Sequence, residues 1–109
     1  MGKFVIIKRK NDEFQFNLKA SNGQIILGSE GYTTKAACLN GVASVKKNSQ
    51  DEKHFDVLEA KNGKHYFNLK ATNGQVIGTS QMYESTAGCR KGMESVMKNA
   101  SDAEIMEEL

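Results

Sequence analysis

Two thiols, two imidazoles and a set of repeated amides and amines are the side chains in this sequence with chemical potential. Cys38 and Cys89 stand 51 residues apart, and His54 and His65 are the only histidines. A thiolate beside an imidazole is a nucleophile pair, and the same atoms in larger number bind zinc. Neither use is expected here. The histidines have no histidine at the matching position of the other half. Their ligand-type neighbours are scattered, and each cysteine falls on a helical pattern where a small buried thiol fits. His65 stands where the first half has Phe14, on an apolar face, and His54 is expected to be exposed in a linker. No glycine-rich loop opens a helix to hold phosphate, and no carboxylate pair is spaced for acid–base work. The expectation is therefore no enzyme, no metal and no cofactor.

The amides and amines give a different picture. Asn17 and Lys19 recur as Asn68 and Lys70, each pair alternating with apolar residues, and Tyr66 adjoins the second pair. At strand spacing these five project from one side of a sheet. A polar, basic face with a nearby aromatic ring could bind an extended anionic ligand, such as single-stranded nucleic acid, or another protein. A plain solvated face reads the same way. Binding through this face, without chemistry, is the expected function. The alternative is a structural or stress-linked protein–protein interaction protein with no small-molecule site.

These residues sit in a gapless internal repeat. With Phe4 laid over Phe55, 22 of the 48 positions from Phe4 to Asp51 are identical to those 51 residues later. The units run 1–51 and 52–109, within one domain. Two copies are too few for a solenoid, so a closed pseudo-two-fold pair is expected.

Within each unit the pattern is legible. Phe4 to Ile7 is β-branched and apolar. Phe14, Phe16, Leu18 and Ala20 alternate with polar residues as a half-buried strand does. Asn22-Gly23 suits a two-residue type I′ turn, with Gln24 to Ser29 returning. That register sets Ala20 against Ile25 and Leu18 against Leu27. Ile26 then faces the wrong way, unless both faces are buried or a bulge near Gly28 and Gly78 re-aims the strand. Thr33-Thr34 and Ser85 are N-cap candidates. Helices with Cys38, Gly41, Val42 and Val45, or Cys89, Gly92, Met93 and Val96, on one face follow. Asn48 and Asn99 suit a left-handed stop. Tyr32 and Tyr83 are expected to pack over the helices, and Ser29 and Ser80 to satisfy backbone groups.

The run Phe16-Asn-Leu-Lys-Ala-x-Asn-Gly-Gln-x-Ile, then Ser29-x-x-Tyr32 and Gly41-x-x-Ser44-Val45, repeated from Phe67, resembles the YegP-like family of small bacterial proteins. The resemblance covers nearly the whole chain. It implies an α+β fold of two tandem β-β-β-α-β units forming one shared antiparallel sheet, with two helices packed on it and the last strands exchanged. It carries no biochemical activity. The tail from Ile105 to Leu109 reads equally as strand or helix.

Charge divides unevenly, with 8 basic and 4 acidic residues up to Asp51 and 7 and 9 after it. This neither demands nor excludes a polyanionic partner. No apolar run is long enough to span a bilayer, and no basic-then-apolar secretion signal is visible, so the cytoplasm is the expected compartment. A monomer acting as a covalent pseudo-dimer is expected.

Overall fold

A computed structural model describes residues 2–109. Each unit contributes three strands and a helix. The first has β1 (Lys3–Lys8), β2 (Phe14–Lys19), β3 (Ile25–Gly28) and α1 (Lys35–Asn48). The second has β4 (Phe55–Glu59), β5 (His65–Lys70), β6 (Val76–Thr79) and α2 (Thr86–Ala100), and β7 (Glu104–Glu108) ends the chain. The tail is thus a strand. All seven strands form one sheet in the order β4-β5-β6-β3-β2-β1-β7.

The sheet is mixed and not wholly antiparallel, because β7 runs parallel to β1, with Phe4 beside Ile105 and Ile6 beside Glu107. The exchange of last strands is also one-sided. The second unit's last strand crosses to the first unit. In the first unit the matching residues, 53–57, form the end of a 3₁₀ turn (Glu52–His54) and the start of β4 itself. A covalent tandem leaves no chain there for an eighth strand.

All four hairpin turns share one design. Asn11, Asn22, Asn62 and Asn73 each accept, through Oδ1, the backbone N–H two residues on, at 3.0–3.1 Å. The next residue takes the left-handed conformation: Asp12 (φ 67°), Gly23 (85°), Gly63 (81°) and Gly74 (87°). Ala20 donates to the Gln24 carbonyl and Gly23 to that of Ala20. This is a three-residue loop, a type I turn with a bulge glycine. The expected type I′ turn would need positive φ at Asn22 as well, and Asn22 keeps negative φ so that its side chain can cap the turn.

The longer loop moves the register by one. Lys19, not Ala20, faces Ile25, while Leu18 does face Leu27. Ile26 is left over as a bulge, and the same shift recurs between Leu69 and Lys70. Both Ile26 and Leu27 therefore turn toward the helices, at 5% and 0% exposure. The bulge lies opposite Lys19 and Lys70, at Ile26 two residues before Gly28 and at Ile77 directly before Gly78.

Both helices cover the same side of the sheet and share one core, centred on Phe4, Phe16, Phe67, Leu18, Leu69 and the helix residues Cys38, Val42, Val45, Cys89 and Val96. Thr34 and Ser85 are the N-caps, their hydroxyls accepting from Ala37 and Gly88. Asn48 and Asn99 do not adopt a left-handed stop. They remain helical, and each Nδ2 donates back to the carbonyl of Ser44 or Ser95 at 2.8 Å. Buried at 4% and 8% exposure, these amides find in the helix the partners that a surface stop would draw from water.

Candidate functional site

The helices leave one face of the sheet open. On β2 and β5, Phe16, Leu18, Phe67 and Leu69 point to the helices, so the intervening residues point away. Asn17, Lys19, Tyr66, Asn68 and Lys70 all lie on this open face, each partly exposed.

The sheet's centre sets their arrangement. Asn17 is paired with Gly28, Gly28 with Thr79, and Thr79 with Asn68. The two asparagines therefore occupy one row across the pseudo-two-fold axis, about 14 Å apart at three strand spacings. β2 and β5 run in opposite directions, so Lys19 and Lys70 lie at opposite corners, about 20 Å apart by strand rise and spacing. Tyr66 falls at the Lys19 end. The structure brings the asparagines into one strip and does not bring the lysines together.

The polar contacts are specific. Arg9 Nε donates to Gln15 Oε1 at 2.8 Å, and Gln15 Nε2 donates to Asn17 Oδ1 at 3.0 Å. Across the axis, Thr79 Oγ1 donates to Asn68 Oδ1 at 2.8 Å. Both asparagine carbonyls are thereby engaged, which orients the Nδ2 groups as donors toward solvent. Gly28 has no side chain, and a Cβ there would stand 3.2 Å from Asn17 Oδ1. Sequence reasoning missed Gln15, Gly28 and Thr79. Their signal was the register itself, since they share the row or strand of the asparagines, but all three differ between copies.

The charge on this face is balanced. Lys70 Nζ is held 2.6 Å from the Asp56 carboxylate. In the first unit the position of Asp56 is taken by Val5, which is nearly buried. Lys19 instead borders a cavity of about 290 Å³ with Lys3, Val5, Met106 and Glu108. The acidic β7 thus lines the edge of the first unit's basic corner.

Two shallow grooves mark the seam between units. One, of about 640 Å³, lies between Asn22 of the first hairpin and Ser95 and Lys98 of α2. The other, of about 440 Å³, repeats it with Asn73, Ser44 and Lys47 of α1.

The groups considered for covalent chemistry are placed for packing. Cys38 and Cys89 are fully buried, and burial pushes both thiols up from their ordinary value, away from the reactive thiolate. Tyr32 and Tyr83 stack on Phe16 and Phe67, and burial raises their hydroxyls too. Each hydroxyl rests over Gly41 or Gly92 of the helix. Ser29 Oγ accepts from the Phe16 amide and donates to the Glu30 carbonyl, and Ser80 repeats this. His54 is half-buried rather than free in a linker, with Nδ1 3.0 Å from the Asn48 carbonyl. Among the described residues no cluster of three or more His, Cys, Asp or Glu could hold a metal ion. No helix among them is long and apolar enough to cross a membrane.

The repeated hairpin, bulge and helix match a known family twice over. Residues 10–56 and 60–107 each match the domain of unknown function DUF1508. The chain belongs to this family. Among its DUF1508 relatives, the UPF0339 protein in the ptx operon 5′ region of Stutzerimonas stutzeri is 53% identical over 106 residues, covering 97% of this chain and 96% of that protein. The UPF0339 protein YegP of Yersinia pestis is 48% identical, covering 91% and 88%. The solution structure of yegP from E. coli superposes with a TM-score of 0.93 at 43% identity, covering 98% of this chain and 92% of that one. That of a UPF0339 protein from Shewanella oneidensis gives 0.92 at 50% identity, covering 97% and 90%. The YegP-like resemblance and the α+β fold it implied are thus established for this chain, together with a family whose function is undescribed.

Proposed function

We propose that this DUF1508 protein is a non-enzymatic binding module whose helix-free sheet face is its contact surface, and that the ligand is an extended anionic chain of the single-stranded nucleic acid class. The observation that carries this reading is the Asn17–Gly28–Thr79–Asn68 row. It lies at the centre of the uncovered face and offers two oriented amide donors that packing does not consume. Lys19 and the Tyr66 ring at one end supply a cationic and a stacking contact. Lys70 contributes less, because Asp56 already neutralises it. The same balance of charge argues for weak affinity and a shallow salt dependence.

The test is binding of labelled single-stranded DNA and RNA at low and moderate salt. Each neutralised phosphate adds about 0.7 to the logarithmic salt slope, so with Lys19 free and Lys70 partly neutralised a slope of about 0.7–1.4 is expected. Lys19→Glu should weaken binding more than Lys70→Glu, and Asn17→Ala with Asn68→Ala should weaken it without changing the slope. Absence of binding at low salt, or binding indifferent to all these changes, would overturn the reading.

A further inference from the structure

The two ends of the sheet are unequal although the units are alike. Phe4 of β1 and Phe55 of β4 are equivalent, and each strand is the first of its unit. β1 is covered on its outer side by β7, running parallel. The equivalent side of β4 is bare. Ile6 is fully buried, whereas its counterpart Val57 is 47% exposed, and Leu58 beside it is 38% exposed.

The bare edge presents hydrogen-bonding groups in known order. Ala60 closes the β4–β5 hairpin by donating to the Lys64 carbonyl. Backbone groups alternate in direction along a strand, so those of Leu58 and Asp56 also face β5, and those of Val57 and Glu59 face outward. The Phe55 N–H is taken by the Glu52 carbonyl, which leaves its own carbonyl outward.

We propose that this edge is a docking site for one extended segment of a partner protein, added parallel to β4 with alternating apolar and basic side chains. The geometry is that of β7 on β1, carried across the pseudo-two-fold axis. The chemistry of the occupant follows from what differs between the two edges. On β1, Lys3 stands beside Glu104, and Lys35 of α1 holds Glu107 at 2.6 Å, so an acidic strand is favoured. At the matching positions stand His54, just before β4, and Thr86 of α2. Asp56 replaces Val5, and Glu59 replaces Lys8. Asp56 is already paired with Lys70, so Glu59, which is in no ion pair among the described residues, carries most of the preference. It disfavours a second copy's acidic tail and favours Lys or Arg opposite it, with Asp56 shared between Lys70 and the segment. Phe55 and Val57 call for apolar residues on the helix side. This site is independent of the open-face reading and stands whether or not that face binds nucleic acid.

The probe is a peptide of sequence Thr-Ile-Lys-Val-Thr-Lys with blocked ends, titrated into isotopically labelled full-length protein. The expected result is movement of the Val57 and Glu59 amide signals, with slowed exchange of both amide protons. A control peptide, Glu-Ile-Met-Glu-Glu, should bind at least tenfold more weakly. Val57→Pro removes an outward N–H that nothing in the fold uses, so the variant should fold and lose peptide binding. Glu59→Lys, as a second variant, should reverse the preference between the peptides. No shifts at millimolar peptide, shifts confined to β7 or the open face, or equal affinity for both peptides would overturn the proposal. So would a doubled mass by light scattering that disappears in Val57→Pro, which would make a second copy the occupant.

Discussion

Each helix is held at its distance from the sheet by a glycine lying under a tyrosine hydroxyl. A Cβ built on Gly92 would overlap the Tyr83 hydroxyl, with the ring carbon Cζ at 2.5 Å, and Gly41 meets Tyr32 in the same way. Alanine in a helix interior normally gains about 1 kcal/mol over glycine. Here that gain is opposed by overpacking against a ring fixed by stacking on Phe67, at about 1–3 kcal/mol. Gly92→Ala should therefore lower stability by up to about 2 kcal/mol in urea denaturation. Gly88→Ala in the same helix should be neutral or gain up to about 0.5 kcal/mol. Its Cβ would meet only the Ser85 hydroxyl at 3.3 Å and Tyr83 at 3.8 Å, and the first unit already carries Ala37 at this position. Equal effects of the two changes would show that the tyrosine contact does not set the helix height. A third glycine explains a break in the repeat. Gly78 stands where the first unit has Leu27, and a Cβ on it would meet the Leu27 side chain at 2.7 Å. Near the pseudo-two-fold axis there is room for one leucine and not two.

At the scale of elements, the six strands before the tail, both helices and the N-caps were legible because each rests on local signals: period-two alternation, three-and-four spacing, and a hydroxyl before a helix. The errors came from competition between local signals. Asn22-Gly23 satisfies the type I′ rule, yet the asparagine is worth more as a side-chain cap within a longer loop, and the register moved with it. Asn48 and Asn99 satisfy the helix-stop rule, yet burial made their amides more useful inside the helix. The bulge that re-aims Ile26 was one of two readings that alternation left open. The turns also yield a prediction. Asp12 alone among the four left-handed turn positions is not glycine. The left-handed conformation costs an L-residue about 1–2 kcal/mol, with Asp near the low end. Its carboxylate makes only a 3.8 Å exposed ion pair with Lys8. Asp12→Gly should thus raise stability by about 0.5–1 kcal/mol, measured by the shift in urea midpoint. A loss would mean that glycine's freedom in the unfolded chain outweighs the strain.

For the whole molecule, the repeat was plain in the sequence, but the count of strands was not. Residues 104–108 and 53–57 are equivalent in alignment, and only tertiary context makes the first set a parallel edge strand and the second the end of a turn leading into β4. The open face was legible as a set of residues. Its layout was not, because the opposed directions of β2 and β5, which part the lysines and align the asparagines, follow from how β3 meets β6. That junction is narrow, with Gly28 and Thr79 the one paired position. The units are instead joined through the core. α1 packs on its own β2 and on β5 and β6 of the other unit, and α2 packs on β5 and on β1 and β3. Leu27 fills the space above Gly78. A unit on its own would expose that shared core and leave the outer edge of β3 unpaired. The intact chain is therefore expected to unfold in one transition, with urea curves from far-ultraviolet circular dichroism and tyrosine fluorescence superimposing. A fragment of residues 1–51 should show no cooperative transition as a monomer. Two resolved transitions in the intact chain, or a folded monomeric fragment, would mean that each half carries a sufficient core and that the tandem is two domains in series.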